Sequence, residues 1–148
     1  MKFKTTSILI TMLLVLSTVS AQTSKTFHVL SPDSKIDMTI EAGTTISWSV
    51  KHEADVVIAP SEISMLLDNG EEFGTNVKVS SAKAITVNAT FNTPLYKKKT
   101  VVDNYNQLTI TFKDDYGIIL RVYNDGVAYR FFSNKKGMVT ILSEEANF

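Results

Sequence analysis

Apolar and polar residues alternate along most of this sequence, and this period of two restricts its fold more than any other feature. In the segment KIDMTIEA, residues 35–42, the apolar Ile36, Met38 and Ile40 are separated by polar neighbours. The segment TISWSVKH, residues 45–52, repeats the pattern. Such alternation is typical of strands with one buried face. The two segments are therefore predicted to form a hairpin joined at Gly43 and Thr44.

Further alternating runs follow at intervals of roughly 8–12 residues with turns between them, which is typical of an antiparallel sandwich or barrel. No segment combines a helical period with capping residues. The sequence predicts a strand that ends at Pro60 and two separate short runs, around residues 77–79 and 85–91. A chain of 148 residues has the length of one domain. We predict an all-β, antiparallel architecture.

The N-terminal segment is predicted to be a secretory signal peptide. Lys2 and Lys4 precede the apolar run SILITMLLVL, and small residues follow it. With Val19 and Ala21 before the cut, cleavage falls ahead of Gln22. A membrane anchor is the alternative, but the apolar run is far shorter than the roughly 20 residues that a bilayer span needs. We therefore expect a signal peptide at 1–21, a domain at 22–148, and export to the periplasm or beyond without membrane attachment.

Composition excludes several functions. The sequence contains no cysteine, which excludes a disulfide framework and a zinc site built on thiolates. After loss of Lys2 and Lys4, 13 of the 15 basic residues remain against 15 acidic ones. A domain so close to neutral gives no electrostatic reason to expect a nucleic-acid partner.

Catalytic constellations are weak in this sequence. His28 and His52 lie in or beside strand patterns, away from any serine and acid that could complete a triad. The acidic pairs 71–72, 114–115 and 144–145 consist of adjacent residues, whose side chains point to opposite faces of a strand. Calcium binding by these pairs is a slightly better interpretation than catalysis. Trp48 could stack on a sugar, but its alternation with Ile46 and Val50 favours a core position.

The segment YKKKTVVDNYNQL, residues 96–108, places three lysines beside Tyr96. A basic run with an aromatic residue can bind phosphates or single-stranded nucleic acid. Because Asp103 follows closely and the domain is slightly acidic, a solvated edge or loop is favoured. Lysines at a sheet edge also discourage association between strands.

The segment YNDGVAYRFF, residues 123–132, predicts a hairpin. A two-residue turn would place Arg121 opposite Arg130, and like charges in that position are destabilising. A three-residue turn with a left-handed Gly126 instead places Arg121 on Tyr129 and Arg130 opposite Leu120. We prefer this second register. It predicts a central hairpin covered on both faces, with Arg130 largely buried and paired with an acid or with carbonyl groups.

Four segments resemble, in order, the N-terminal domain of glycoside hydrolase family 97, which comprises α-glucosidases and α-galactosidases of Bacteroidetes. They are SPDSKIDMTIEAGTTISWSVKH, APSEISMLLDNGEEFG, YKKKTVVDNYNQLTITFKDDYGIILRVYNDGVAYRF and SEEANF. The block from Tyr96 to Phe131 is the most specific. The resemblance implies a β-super-sandwich of the galactose-mutarotase type, here incomplete.

The resemblance further implies that a catalytic (β/α)8 barrel follows this domain in the family and carries the catalytic glutamate. Most calcium-ligating carboxylates of the full-length family are also expected in that barrel. We therefore assign no catalytic residue, no metal ligand and no cofactor to this chain. Its expected partners are the barrel of a parent enzyme and an oligosaccharide, and the chain is expected to be a truncated portion that is inactive alone.

Three residues are candidates for carbohydrate contact: Tyr96, Tyr105 and Arg130. They matter most for an alternative hypothesis, in which the chain is a free-standing, secreted carbohydrate-binding sandwich. A further alternative is an exported structural domain that binds another protein through an unpaired strand edge.

Overall fold

The computed structural model describes residues 24–94, 97 and 99–147. The predicted signal peptide and the candidate residue Tyr96 lie outside the described residues. The described residues form strands and loops without a helix, and among them no helix is long and apolar enough to cross a membrane. The strands are β1 Lys25–Leu30, β2 Ile36–Ala42, β3 Ile46–His52, β4 Asp55–Leu67, β5 Glu72–Phe73, β6 Val79–Asn92, β7 Thr100–Phe112, β8 Tyr116–Val122, β9 Val127–Ser133 and β10 Ile141–Ala146.

The strands form two antiparallel sheets. The first sheet has the order β1-β2-β3-β4-β10, with β5 added beside β4. The second sheet has the order β6-β7-β8-β9. Strands that are neighbours in the chain pair as hairpins in both sheets, and β10 returns to the first sheet beside β4. The predicted all-β antiparallel class is confirmed.

The predicted first hairpin is also confirmed. Strands β2 and β3 pair from Ile36 opposite His52 to Ala42 opposite Ile46. The apolar residues of both strands are buried on one face, as their alternation predicts, and Trp48 is 3% exposed. Burial of one such side chain stabilises the fold by roughly 1.5–3 kcal/mol. The core position of Trp48 thus follows from its place in the alternating pattern.

The inner faces of the two sheets pack together into one core. The second sheet contributes its alternating residues, of which Ile110, Ile118, Leu120 and Val122 are fully buried. The ring of Trp48 meets that of Tyr129 edge-on, with centroids 5.2 Å apart. Such edge-to-face pairs add about 0.5–1.5 kcal/mol beyond the area that they bury.

Strand β4 continues through Pro60, so the predicted strand end at this residue is wrong. The pairing of β3 with β4 shifts by one position between Trp48 opposite Ser61 and Val50 opposite Ile58. This bulge accommodates Pro60 because a bulged residue need not supply a ladder N–H, which proline lacks. The two short runs predicted within residues 77–91 are likewise replaced by the single strand β6, which pairs along its length with β7.

The far half of the β6–β7 ribbon projects apolar side chains into solvent on both faces. Thr90 pairs with Val102, and Phe91 pairs with Val101, so Val102 and Phe91 point in opposite directions. Phe91 is 50% exposed and Val102 is 66% exposed. Neither face of this part of the ribbon is covered by the described residues.

Candidate functional site

The hairpin formed by β8 and β9 has a different register from the predicted one. Val122 lies opposite Val127, so the loop contains the four residues 123–126. The Tyr123 amide donates a hydrogen bond to the Gly126 carbonyl at 2.8 Å. Gly126 does not adopt the predicted left-handed conformation. The predicted three-residue bulged turn is therefore wrong.

The free-energy cost of burying a charged side chain explains this register. In the structure Leu120 lies opposite Tyr129 on the core face of the sheet, and Ile119 lies opposite Arg130 on the side that points away from the first sheet. The three-residue turn would place Arg130 opposite Leu120, which is 0% exposed. A guanidinium in that position would be desolvated in an apolar core, at a cost of several kcal/mol. The four-residue loop avoids that cost.

Arg130 is consequently exposed, and the prediction that it is buried and paired is wrong. Strand β9 is also an edge strand of the second sheet, so the hairpin is not central. The ion pairs of the described residues join His28 to Asp37, Lys35 to Glu53 and Lys135 to Glu71. Among the described residues, therefore, no carboxylate lies within ion-pairing distance of Arg130.

We use the term outer face for the side of the second sheet that points away from the first sheet. Tyr105 and Gln107 of β7 lie on this face beside Ile119 and Arg121 of β8. The register of β9 adds Ala128 opposite Arg121 and Arg130 opposite Ile119. The structure thus brings two predicted contact candidates, Tyr105 and Arg130, onto one surface.

Tyr105 is covered on this surface by its neighbours and is only 6% exposed. The guanidinium carbon of Arg121 lies 4.6 Å from the centroid of the Tyr105 ring, and the Tyr123 ring lies 5.0 Å away. Arg121 Nε donates a hydrogen bond of 2.8 Å to Gln107 Oε1. The predicted stacking of Arg121 on Tyr129 is wrong, because Tyr129 points into the core toward Trp48. Arg121 stacks on Tyr105 instead.

A small cleft of 150 Å³ opens beside this cluster. Its lining residues are Ile119, Arg121, Tyr123, Ala128, Tyr129 and Arg130. Arg121, Gln107 and Tyr123 are not among the contact candidates predicted from the sequence. The turn at Asp114 and Asp115 could have identified these residues from the sequence, because it places Gln107 opposite Arg121.

A second cleft, of 460 Å³, is lined by the acidic pairs 71–72 and 114–115. Lys135 Nζ lies 2.6 Å from a carboxylate oxygen of Glu71, and its hydrogen bond lowers the pKa of that carboxyl below the ordinary value. Glu72 accepts a hydrogen bond from Ser64 instead. Among the described residues no three acidic or histidine side chains are grouped to hold a metal ion.

Tyr116 forms the wall of this cleft next to the core. Its ring stacks on Phe73 with centroids 4.0 Å apart, and its hydroxyl accepts a hydrogen bond of 3.0 Å from the Gly74 amide. Burial raises the pKa of the Tyr116 hydroxyl above its usual 10.0. The side chain therefore stays protonated in the neutral range and acts as a structural link between the sheets.

His28 lies on the exposed surface of β1. Its Nδ1 atom is 3.3 Å from both carboxylate oxygens of Asp37 and 3.1 Å from the Thr39 hydroxyl oxygen. These residues occupy adjacent strands of the first sheet. The arrangement is a cross-strand polar contact at the surface.

Comparison with known proteins gives a consistent result. A family model described as "Glycosyl-hydrolase 97 N-terminal" matches residues 29–148. The retaining alpha-galactosidase of Bacteroides thetaiotaomicron is 35% identical over 137 residues, which are 93% of this chain and 21% of that protein. The chain therefore spans about a fifth of the length of this relative.

Solved structures share the fold. A glycoside hydrolase family 97 enzyme in complex with acarbose, from Pseudoalteromonas sp. strain K8, superposes with a TM-score of 0.70 and 25% identity, covering 80% of this chain and 19% of that one. A beta-arabinopyranosidase superposes with a TM-score of 0.72 and 23% identity, covering 80% of this chain and 20% of its own. At that identity the second likeness concerns the fold alone.

Proposed function

The chain belongs to the glycosyl-hydrolase 97 N-terminal family, and from this membership we propose that it is the non-catalytic β-sandwich portion of a secreted family 97 glycoside hydrolase. The parent enzyme would be an α-glucosidase or α-galactosidase that acts on oligosaccharides. In it, the sandwich packs against a (β/α)8 barrel and helps to line the active site. Calcium belongs to the barrel in this proposal.

The observation that carries the proposal is the share of the relatives that the chain matches. It corresponds to 21% of the curated alpha-galactosidase and to 19% of the acarbose-bound enzyme. Both relatives therefore contain about four-fifths of their length outside the matching region.

The exposed apolar side chains of the β6–β7 ribbon support the proposal that another domain packs against this chain. Phe91 and Val102 leave half or more of their surface in solvent on opposite faces of the ribbon. Val56 and Val57, at the start of β4, are 59% and 62% exposed. Exposed apolar surface of this kind marks interaction sites in folded proteins. A catalytic domain that covers it would bury these side chains.

We expect the isolated chain to release no 4-nitrophenol from 4-nitrophenyl α-glucoside or α-galactoside, with calcium present. The reason is that the chain matches only 21% of the curated alpha-galactosidase, and the proposal places the catalytic groups in the remainder. The measurement is absorbance of the product against buffer alone. The retaining alpha-galactosidase of Bacteroides thetaiotaomicron serves as the positive control. Hydrolysis above buffer by the chain would contradict the non-catalytic assignment.

Export is proposed from the sequence of residues 1–21. Expressed in a Gram-negative host, the chain is expected in the periplasmic fraction with Gln22 as its first residue. Intact-mass measurement of the recovered protein checks the cleavage site. A variant with Val19 and Ala21 replaced by bulky charged residues should retain the leader. Recovery of uncleaved wild-type chain from the cytoplasm would overturn the proposal.

A free-standing carbohydrate-binding module is the second candidate function. One observation favours it, namely the exposure of Arg130 beside Tyr123 at the outer-face cleft. Tyr105 contributes less, since Arg121 already occupies one face of its ring. Saturable binding of a neutral oligosaccharide to the chain in calorimetry would favour this second function.

A further inference from the structure

We propose that the outer-face cleft between Arg121 and Arg130 binds the carboxylate of a small organic or sugar acid. The inference concerns this cleft alone and does not depend on the role of the chain within a larger enzyme. The ligand would enter by its carboxylate, and the remainder of the molecule would stay on the exposed surface.

Arg121 is held in position before any ligand arrives. Its Nε donates to Gln107 Oε1 at 2.8 Å, and its guanidinium carbon lies 4.6 Å from the centroid of the Tyr105 ring. These two contacts fix the plane of the guanidinium and leave its two terminal amino groups for other acceptors. A fixed planar fork suits a carboxylate, which accepts two parallel hydrogen bonds from arginine.

Arg130 reaches the same cleft from the neighbouring strand. Ala128 lies opposite Arg121, and Arg130 follows two residues later on the same face. This diagonal relation separates the two arginines by about 7–8 Å at the backbone, within reach of long side chains. Both residues line the 150 Å³ cleft. They can therefore approach one anion from two sides.

The positive charge of the cleft is not paired with a carboxylate in the described part of the chain. No acidic residue there forms an ion pair with Arg121 or Arg130, since the three ion pairs lie elsewhere. Two neighbouring guanidinium groups create a positive potential that attracts anions. An anion between them would relieve their mutual repulsion.

Size and shape favour a carboxylate. At 150 Å³ the cleft is smaller than the roughly 300–1,000 Å³ of pockets that enclose whole ligands. Ile119 and Ala128 give it an apolar floor. A flat carboxylate needs donors only along its edge, where the arginines lie. A tetrahedral phosphate carries further oxygens beyond the two that one guanidinium pairs, whereas a carboxylate has none.

The experiment follows the arginine Nε–H signals of the full chain by NMR during titration with sodium acetate, sodium glucuronate, sodium phosphate or glucose. Sodium chloride keeps the ionic strength constant. We expect saturable shifts of the Arg121 and Arg130 signals with both carboxylates and none with glucose. Tighter binding of glucuronate than of acetate would assign a sugar acid, and equal binding would assign a simple carboxylate.

Two variants test the residues. Arg130→Gln is expected to weaken carboxylate binding about tenfold, the usual effect of losing a charged hydrogen bond. Lys83→Gln is the matched control. Lys83 is exposed on β6, on the same face of the sheet, so this substitution removes the same charge but should leave the affinity unchanged. Backbone amide spectra confirm that each variant is folded. Phosphate binding tighter than carboxylate, unsaturable shifts, or equal weakening by both variants would overturn the proposal.

Discussion

Replacement of Gly74 by alanine is expected to lower the free energy of unfolding by roughly 2–6 kcal/mol, from backbone strain and overpacking together. Gly74 has a φ of +104°, a conformation that residues with a side chain rarely adopt. An added Cβ would also lie 2.5 Å from the Ile63 carbonyl oxygen and 3.1 Å from Ser64 Cα. Because these atoms belong to the backbone of β4, they cannot rotate away. Urea unfolding followed by tryptophan fluorescence measures the change.

Two other glycines separate the contributions. Gly70 has a φ of +82° but no heavy atom within 4 Å of an added Cβ, so Gly70→Ala introduces only the backbone strain. Gly126 has open space and an ordinary φ, so Gly126→Ala should change stability least. If Gly74→Ala were no more destabilising than Gly70→Ala, close packing against β4 would not be the reason for a glycine at this position.

The backbone of Gly74 also connects the two sheets through hydrogen bonds. Gly74→Ala is therefore expected to lower the free energy of unfolding by more than a change confined to one loop would. Its amide donates to the Tyr116 hydroxyl of β8 at 3.0 Å, and its carbonyl accepts from the Ile46 amide of β3 at 2.8 Å. A backbone shift that accommodates a methyl group would lengthen both hydrogen bonds. An unsatisfied buried donor costs about 1–3 kcal/mol.

Local alternation was sufficient to predict the first hairpin and its buried face. Met38, Ile40 and Trp48 are core residues because a period of two places them on one side whatever the rest of the chain does. The same holds for Ile110 and Phe112 in β7. These assignments depend only on near neighbours in the sequence, so the sequence contains what is needed to make them.

Pairing between strands was harder to predict, because a shift of one residue changes which side chains share a face. The three-residue turn at 124–126 was predicted from like-charge repulsion and from the preference of glycine for left-handed turns. Both effects are worth about 1 kcal/mol or less. Keeping Arg130 out of the core is worth several kcal/mol. The larger effect determined the register, and it could be evaluated only once Leu120 was known to be buried.

The outer-face cluster could be predicted only in part. Tyr105 and Arg130 were selected as candidates, but the residues that organise the surface, Gln107 and Arg121, were not. Their contact depends on β7 and β8 pairing with Gln107 opposite Arg121, and the cleft additionally depends on β9. Three strands must be aligned before these side chains meet. Composition and periodicity of any single strand do not contain that alignment.

Replacement of Ile118 by alanine is expected to destabilise the protein by about 2–5 kcal/mol, the usual result of truncating a buried aliphatic side chain. Ile118 is 0% exposed and lies on the core face of β8, with Ile110 opposite it on β7 and Phe131 opposite it on β9. Removal of its side chain leaves a cavity between the sheets that neighbouring strands cannot close. The midpoint of urea unfolding, with an unchanged slope, reports the loss.

The adjacent residue supplies a matched control, since Ile119→Ala removes the same atoms from the same strand on the opposite face. Ile119 is half-buried beside Arg130, so its loss should cost about 1 kcal/mol, well below that of Ile118. The comparison also tests the register on which the proposed carboxylate site depends. If Ile119→Ala were the more destabilising change, the faces of β8 would be exchanged, and Arg121, which shares the face of Ile119, would point into the core. The cleft would then not exist on the outer surface.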